Sequence, residues 1–339
     1  MINLRHTFKN LLAAVALTAL AASGLSSCAL INDDLDPCPE GVKLRFIYDY
    51  NMEFANAFPA KVDCLTLLVY DEAGNYIKTV TETSKVLADE NWRMTIDLPA
   101  GKTYRFVAYG GLECGSSSFH FVQTPAKGSK ITDLQVAMNQ NCIDADPGVD
   151  LHNLYYGETT VTIPEGELDY TAGTVPMMRD TNTLRILLQN VDGTPCYAQD
   201  FDFRINTDNT LFAWNNDLIP VTGGNFYKPW AVGQSSVGTV GGEDEVSLAF
   251  AEFSTSRFVE GIPTRFVVTE RRNNSVILDI PLVNYLLLFK SEKYKDMPAQ
   301  EYLDRENHWD VILFLDNGRW IDAYIVVNDW IVRLNKTIM

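Results

Sequence analysis

Short stretches of alternating apolar and polar residues extend along most of the chain, separated by turns rich in Gly, Pro, Asn and Asp. In Arg93–Leu98 every second residue is apolar, Pro99–Lys102 supplies a turn, and Tyr104–Tyr109 forms the returning apolar run. Asn317-Gly318 lies between two further apolar runs, and Asn-Gly at such a point is a strong hairpin signal. A period of two with tight turns is typical of antiparallel strands, so the pattern predicts an all-β protein.

The predicted strands fall into two groups, and a length of 339 residues agrees with two domains at roughly 150 residues each. The first group, within 41–140, comprises Val42–Tyr50, Leu65–Tyr70, Tyr76–Thr81, Arg93–Leu98, Tyr104–Tyr109 and Leu134–Met138. The second, within 182–339, comprises Leu184–Gln189, Phe201–Asn206, Leu211–Trp214, Val246–Phe253, Arg265–Arg271, Ser275–Ile280, His308–Leu315, Trp320–Asn328 and Asp329–Leu334. Residues 141–181 are predicted as a linker with one short strand, Thr159–Ile163, and Pro298–Arg305 as a helix. Each group favours a β-sandwich.

Residues 1–27 have the three parts of a secretory signal peptide. Arg5 and Lys9 give a positive start, and Leu11–Ala22 is apolar but shorter than the ~20 residues that span a bilayer. Leu25–Cys28 resembles the bacterial lipobox, in which the cysteine thiol receives a diacylglycerol. We therefore predict cleavage after residue 27, a covalent diacylglycerol and N-acyl lipid on Cys28, and no other cofactor.

Residues 28–40 are predicted to form an acidic tether behind this lipid. Asn32–Asp36 resembles the surface-export signal of Bacteroidetes lipoproteins, and a plain solvated tether is the alternative. The expected location is the outer face of the outer membrane, with outer-membrane lipid as the partner of Cys28.

The charge balance excludes one class of partner. The chain has 27 basic and 44 acidic residues, a net charge of −17, and loss of Arg5 and Lys9 leaves 25 against 44, or −19. Nucleic acids are polyanions whose counterions Lys and Arg must replace. We therefore predict no nucleic-acid binding.

Five cysteines follow Cys28: Cys38, Cys64, Cys114, Cys142 and Cys196. An exported protein can form disulfides, but an odd number leaves at least one thiol unpaired. Cys38 lies between prolines, and a disulfide from it would fix the segment that enters the first domain, with either Cys114 or Cys142 as its partner. Buried free thiols are an equal alternative. No C-x-x-C pair is present, so zinc is not expected.

No catalytic site is predicted. His120, His152 and His308 are the histidines left after signal removal, and none lies near a nucleophile motif such as G-x-S-x-G. Asp144–Asp150 offers oxygen donors but lacks EF-hand spacing, so a solvated linker is favoured over a metal site, and calcium binding there stays open. Gly233–Gly242 has no Lys-Ser or Lys-Thr and reads as a surface loop.

Two features offer binding surfaces. Trp214, Tyr227 and Trp230 could form an aromatic platform for a sugar, although core packing is favoured for them. The apolar tail from Trp320 could complete its own sheet or lend a strand to a neighbouring subunit, because edge strands expose unpaired N–H and C=O groups. The candidate partner-strand residues are Ile325, Val327, Trp330 and Val332.

Ordered motifs along the whole chain resemble the fimbrial anchoring-subunit family of Bacteroidetes, lipoproteins associated with the major and minor fimbrillins of type V pili. The motifs are Leu25–Cys28, Asp36–Pro39, Leu98–Gly111, Leu154–Glu158, Gln300–Asn307 and Val327–Trp330. The resemblance implies two tandem transthyretin-like β-sandwich domains after the signal peptide, and a base subunit that anchors the fimbrium and limits its length through strand-addition contacts with a stalk subunit.

The resemblance also bears on the first strand. Related stalk pilins lose that strand to an arginine-specific protease, whereas a base subunit has no need of the groove this opens. We therefore expect Val42–Tyr48 to stay in place despite Lys43 and Arg45. The alternatives to an anchor are a tip or accessory fimbrial subunit and a surface glycan-binding lipoprotein, with the host or glycan ligand unknown.

Overall fold

The computed structural model describes residues 40–166, 169–221, 223–237, 246–316, 319–327 and 330–333. The strands of these residues are β1 (Gly41–Ile47), β2 (Leu65–Asp71), β3 (Tyr76–Glu82), β4 (Met94–Asp97), β5 (Lys102–Gly110), β6 (Phe119–Phe121), β7 (Gln135–Met138), β8 (Tyr155–Ile163), β9 (Thr171–Arg179), β10 (Thr181–Asn190), β11 (Phe201–Thr207), β12 (Leu211–Ala213), β13 (Phe226–Tyr227), β14 (Ala231–Val237), β15 (Val246–Ser256), β16 (Thr264–Glu270), β17 (Ser275–Pro281), β18 (His308–Asp316), β19 (Arg319–Val327) and β20 (Trp330–Arg333). The α-helices are α1 (Phe58–Lys61), α2 (Leu282–Leu287) and α3 (Ala299–Arg305). The prediction of a mainly β protein is confirmed.

A seven-stranded sheet in the order β3-β2-β5-β8-β9-β1-β4 dominates the N-terminal half. β9 pairs in parallel with β1 through 171–176 and antiparallel with β8 through 177–179, so it crosses from one part of the sheet to the other. The inward faces of β1, β2, β5 and β9 share one hydrophobic core. Leu44 and Leu67 are among its fully buried side chains.

β2 is buried on both faces. Leu67 and Val69 point into the N-terminal core, while Leu68 and Tyr70 point into a second core on the other side of the strand. Its almost continuous apolar sequence follows from this double burial, since a strand covered on both faces has no polar side.

Two sheets build the C-terminal half. Their orders are β14-β15-β10-β18-β19-β20 and β13-β11-β16-β17. β10 runs antiparallel to β15 and parallel to β18, and Ile186, Phe253 and Trp309 from these three strands are fully buried. Phe203 of β11 and Phe266 of β16 enter the same core from the other sheet.

A three-stranded sheet, β12-β7-β6, joins the two halves. β12 belongs by sequence to the C-terminal half, yet it pairs with β7, with Phe212 opposite Val136. The rings of Phe119 and Phe212 lie 6.3 Å apart in an edge-to-face arrangement. The second core extends without interruption from Tyr70 into the C-terminal sheets.

The predicted linker, 141–181, contains two long strands. β8 begins at Tyr155, earlier than the predicted Thr159, and β9 was missed altogether. Gly173 and Pro176 make β9 read as a turn, but a Cβ on Gly173 would lie 2.7 Å from Leu44 Cδ2, so glycine there allows β1 to approach closely. Both strands complete the N-terminal sheet, and Asp180 alone separates β9 from β10.

Two local predictions have different outcomes, and one helix was not predicted. The helix predicted at Pro298–Arg305 is confirmed as α3, whereas the apolar helix α2 was missed. The loop predicted from Gly233 is wrong up to Val237, because those residues form β14. A Cβ on Gly233 would lie 2.5 Å from Phe250 Cζ, so this glycine makes room for a packed ring rather than a loop.

The structure contains one disulfide among the described cysteines, between Cys64 and Cys114, with Cα atoms 6.3 Å apart. Cys142 and Cys196 are buried free thiols. Pairing of Cys38 with Cys114 or Cys142 is therefore wrong, because Cys114 is already bonded and Cys142 is unpaired. Cys38 itself lies outside the described residues. Sequence spacing did not show that the residue before β2 meets the loop after β5.

Candidate functional site

The predicted lipid attachment residue, Cys28, lies outside the described residues. The described chain starts at Glu40, whose carbonyl accepts a hydrogen bond from Leu98 N at 3.2 Å and whose Oε2 accepts one from Ala100 N at 3.3 Å. The tether therefore joins the folded protein at the end that carries the β4–β5 turn.

β1 is an interior strand of its sheet. It pairs with β4 on one side and β9 on the other, and its buried residues Val42, Leu44 and Phe46 fill the N-terminal core. Lys43 and Arg45 point outward and are exposed. Removing this strand would expose two neighbours and an open core, which supports the expectation that it stays in place.

The four candidate partner-strand residues form two opposed pairs at the end of the C-terminal sheet. Ile325 lies opposite Val332, and Val327 lies opposite Trp330, across β19 and β20. On its other side β19 pairs with β18. The described part of the tail thus completes its own sheet, and engagement of a partner stays a prediction.

β20 is the edge strand of that sheet and is only four residues long. β10 starts beside the N-terminal half and runs away from it, and β18 is parallel to β10. β19 is antiparallel to β18, and β20 is antiparallel to β19, so β20 runs in the same direction as β10. The chain therefore leaves β20 heading away from the N-terminal half. The edge of β20 that no described strand pairs with, together with the direction in which β20 runs, suits contact with a further subunit.

The three aromatic residues do not form an exposed platform, and the favoured interpretation of packing is confirmed for Trp214 and Tyr227. Trp214 packs beneath Arg105, whose guanidinium lies 5.2 Å from the ring centroid. Tyr227 is buried and donates its hydroxyl hydrogen to Asn209 Oδ1 at 2.8 Å. Trp230 differs from both, because 39% of it is exposed.

Trp230 lines a cleft of about 530 Å³ between the segment 150–153 and residues of β10, β15 and β18 near one end of these strands. The cleft is polar and charged: Arg185 pairs with Glu252 at 3.5 Å, and His308 Nδ1 lies 2.8 Å from Thr183 Oγ1. An exposed indole beside hydrogen-bonding side chains is a suitable surface for a small polar ligand.

Two of the three acidic residues of Asp144–Asp150 bind the C-terminal half, so the segment is not an open loop. Asp144 Oδ1 accepts a hydrogen bond from Phe226 N at 2.7 Å, and Asp146 pairs with Lys228 at 2.5 Å. This bond with Lys228 lowers the pKa of the Asp146 carboxyl below its usual value. Within the described residues, no group of three or more His, Cys, Asp or Glu side chains could hold a metal ion.

A buried ion pair fixes α3 at the junction of the halves. Arg257 Nε and Nη2 bind the two carboxylate oxygens of Asp304, each at 2.7 Å. Arg257 Nη1 also donates to the Asn216 carbonyl oxygen at 2.9 Å, and Gln300 Nε2 donates to Asp304 Oδ1 at 2.8 Å. Loss of one partner would leave a buried charge uncompensated.

The C-terminal end of α3 and the residues just after it bind the end of β1 and the loop that follows it. The Arg305 guanidinium lies 4.1 Å from the Tyr50 ring centroid and 4.7 Å from that of Phe54. Asn307 Nδ2 donates to the Tyr48 hydroxyl oxygen at 2.9 Å. The motif Gln300–Asn307 therefore holds the two halves together, a role that sequence reasoning missed because its partners lie at the other end of the chain.

The described residues include no helix long and apolar enough to cross a membrane.

Solved structures from Bacteroidetes share this fold. A candidate adhesin from Bacteroides thetaiotaomicron is 49% identical with a TM-score of 0.83, and the match covers 89% of this chain and 100% of that one. A candidate polysaccharide-binding protein from the same species is 29% identical with a TM-score of 0.73, covering 88% and 99%. The fimbrial anchor protein Mfa2 from Porphyromonas gingivalis, 16% identical with a TM-score of 0.67 over 87% and 99%, shows the same fold. No curated protein sequence matches.

The family model of fimbrillin-A associated anchor proteins Mfa1 and Mfa2 matches residues 35–336. The chain therefore belongs to this family, and the resemblance predicted from the motifs is confirmed. The family is one of non-enzymatic fimbrial anchor proteins of the cell surface, and its name records association with fimbrillin.

Proposed function

We propose that this protein is the lipid-anchored subunit that holds a fimbrium to the outer membrane and limits its length. The observation that carries the proposal is the placement of the two chain ends. The tether joins the fold at the β4–β5 turn, whereas β20 leaves the C-terminal sheet heading away from the N-terminal half. A shared core and the α3 contacts connect these two ends.

The tether gives the anchor a limited reach. Eleven residues, 29–39, separate Cys28 from Glu40. At roughly 3.5 Å per extended residue, they place the fold within about 40 Å of the lipid headgroups. A base subunit held this close presents its far end to the stalk, which suits contact through the edge strand β20.

The domain organisation that goes with this function is two transthyretin-like β-sandwiches behind a cleaved signal peptide. The N-terminal domain extends from β1 through β9, because β8 and β9 complete its sheet. The C-terminal domain extends from β10 onward. The lipobox at Leu25–Cys28 supports covalent attachment of diacylglycerol, and the chain's family supports a surface location.

Deletion of this chain should separate fimbriae from the cells. Without an anchor, the stalk has no attachment and no length limit, so we expect long fimbriae in the culture medium and few on cells. Electron microscopy of cells and medium measures both number and length. Fimbriae that stay attached at normal length while adhesion falls would instead identify a tip or accessory subunit and contradict the proposal.

Glycan binding is a second candidate function, favoured by the exposed indole of Trp230 in the cleft and by the relative described as binding polysaccharide. Trp230→Ala should weaken binding of a soluble polysaccharide about tenfold, since ~1.4 kcal/mol of stacking corresponds to that factor. Calorimetric titration measures the change. Trp214→Ala is the matched control, because that ring packs against Arg105 outside the cleft. Equal affinity of Trp230→Ala and the unchanged protein would exclude this cleft.

A further inference from the structure

Asp180 is the single residue between β9 and β10, and its side chain is fully buried. Its backbone N–H donates to the Leu154 carbonyl at 2.8 Å. Its Oδ1 accepts a hydrogen bond from Asn216 Nδ2, also at 2.8 Å. Asn216 is buried too, and it lies in the turn that follows β12.

Two oxygen atoms of this pair lack partners. Among the described residues, neither Asp180 Oδ2 nor Asn216 Oδ1 has a hydrogen-bond partner. An ionised carboxylate and an amide oxygen are both acceptors, so they cannot satisfy each other. A buried carboxylate with one neutral donor is also costly to keep charged.

We propose that the Asp180 carboxyl is protonated in the folded protein and donates its Oδ2–H to Asn216 Oδ1. This proton satisfies both orphaned oxygens at once. Together with the observed bond from Asn216 Nδ2 to Asp180 Oδ1, it closes a ring of two hydrogen bonds between an acid and an amide.

The charges around Asp180 are consistent with a neutral acid. The ionisable groups near it are Arg179 in β9, Tyr48 after β1, Tyr109 in β5, Tyr156 in β8, Arg257 after β15 and Asp304 in α3. The Arg257 guanidinium binds Asp304 through two nitrogens, Nε and Nη2, and Arg179 donates to Thr181 and Asn307. Neither cation is therefore hydrogen-bonded to the Asp180 carboxyl.

Burial raises the pKa of Asp180 to about 7, against the opposing charge of Arg257 and the hydrogen bond from Asn216. An unfolded aspartate ionises near pH 3.9. The folded state therefore holds a proton that the unfolded state releases. The stabilisation from the pair is fully present below about pH 4 and is lost as pH rises through about 7.

The pair joins the two halves of the molecule. Asp180 connects the last strand of the N-terminal sheet to the first strand of the C-terminal one, and Asn216 follows the strand that pairs with β7. Ionisation would set two acceptor oxygens against each other at this point. The junction is thus tightest in acidic surroundings and loosens as the pH rises.

Asp180→Asn tests the proposal, because asparagine reproduces the neutral acid: its Oδ1 accepts from Asn216 Nδ2 and its Nδ2 donates to Asn216 Oδ1. The variant and the unchanged protein should be about equally stable near pH 4. Above pH 7 the variant should be the more stable protein, with an unfolding equilibrium constant at least tenfold smaller than that of the unchanged protein. The upper limit is about 10³-fold, because the pKa of Asp180 differs by about three between the folded and unfolded states. Urea unfolding of both proteins across this pH range measures the difference.

Two further measurements separate this pair from other buried acids. Burial also raises the pKa of the Glu306 carboxyl. Glu306→Gln removes that carboxyl and should leave the pH-dependent stability difference between Asp180→Asn and the unchanged protein intact. Infrared spectroscopy at pH 6 should show the C=O stretch of a protonated acid that Asp180→Asn removes. Asn216→Gly retains the left-handed backbone of Asn216, whose φ is 66°, but removes its amide, so the band should move to higher frequency.

The proposal is overturned if the stability difference between Asp180→Asn and the unchanged protein does not vary with pH. If Asp180→Asn does not fold, the infrared spectrum of the unchanged protein decides. Absence of a protonated-acid band at pH 6, or a band that Asn216→Gly leaves unmoved, also overturns it.

Discussion

Replacing Cys28 by Ala should release fimbriae into the medium, with the cell-bound fraction falling more than tenfold. Alanine has no thiol to receive diacylglycerol, and burial of acyl chains contributes about 0.8 kcal/mol per CH₂ to membrane attachment. The protein would still fold, because Cys28 is the first residue of the tether and the first strand begins only at Gly41. Immunoblots of cells and medium, probed for both this protein and the fimbrial stalk, measure the distribution.

Cys38→Ala is the matched control. It removes a cysteine from the same segment and leaves the lipobox unchanged, so fimbriae should stay on the cells. Retention of fimbriae by Cys28→Ala cells that make normal amounts of the protein would contradict attachment through this residue.

Removing the residues after Trp330 should abolish fimbrial attachment and leave the protein folded. Among the described strands, Ile331–Arg333 pair only with β19, at the edge of the sheet, so the core formed by β10, β15 and β18 does not depend on them. Thermal unfolding checks the fold, and electron microscopy counts the attached fimbriae.

A single substitution tests the role of strand addition in attachment without shortening the chain. Val332→Asp on β20 should reduce attachment at least tenfold, because a charge on an edge strand opposes pairing with another strand. Val276→Asp is its control, since Val276 lies on a different edge strand, β17, and is 59% exposed. Equal effects of the two variants would be incompatible with a role specific to β20.

The strands that alternate strictly were predictable from sequence. β4 follows the alternation of Arg93–Leu98, because one of its faces packs on the core while the other meets solvent. β5 follows the apolar run Tyr104–Tyr109, because its two faces pack on the two cores. β9 was not predictable from sequence, since Gly173 and Pro176 taken alone indicate a turn. Their reason is tertiary: the glycine admits Leu44 of a neighbouring strand, and the proline lies at the last residue pair of β1 and β9.

The candidate site was also only partly predictable from the sequence. The motif Gln300–Asn307 supported the resemblance, but its chemistry depends on Tyr48, Tyr50 and Arg257, which lie elsewhere in the sequence. Asp180 is one acid among 44 in the chain. Only the fold shows that it is the residue buried between β9 and β10.

The parallel pairing of β1 with β9 has a mechanical consequence for a protein in the proposed position. Fluid flow on a fimbrium would pull the Arg179 end of β9 through β10, while the lipid would hold the Gly41 end of β1. These forces point in opposite directions along two strands that share the register from Val42–Thr171 to Ile47–Pro176. They would shear the interstrand hydrogen bonds together rather than unzip them one at a time. The resistance of the N-terminal sheet to tension is therefore set by all of these bonds at once.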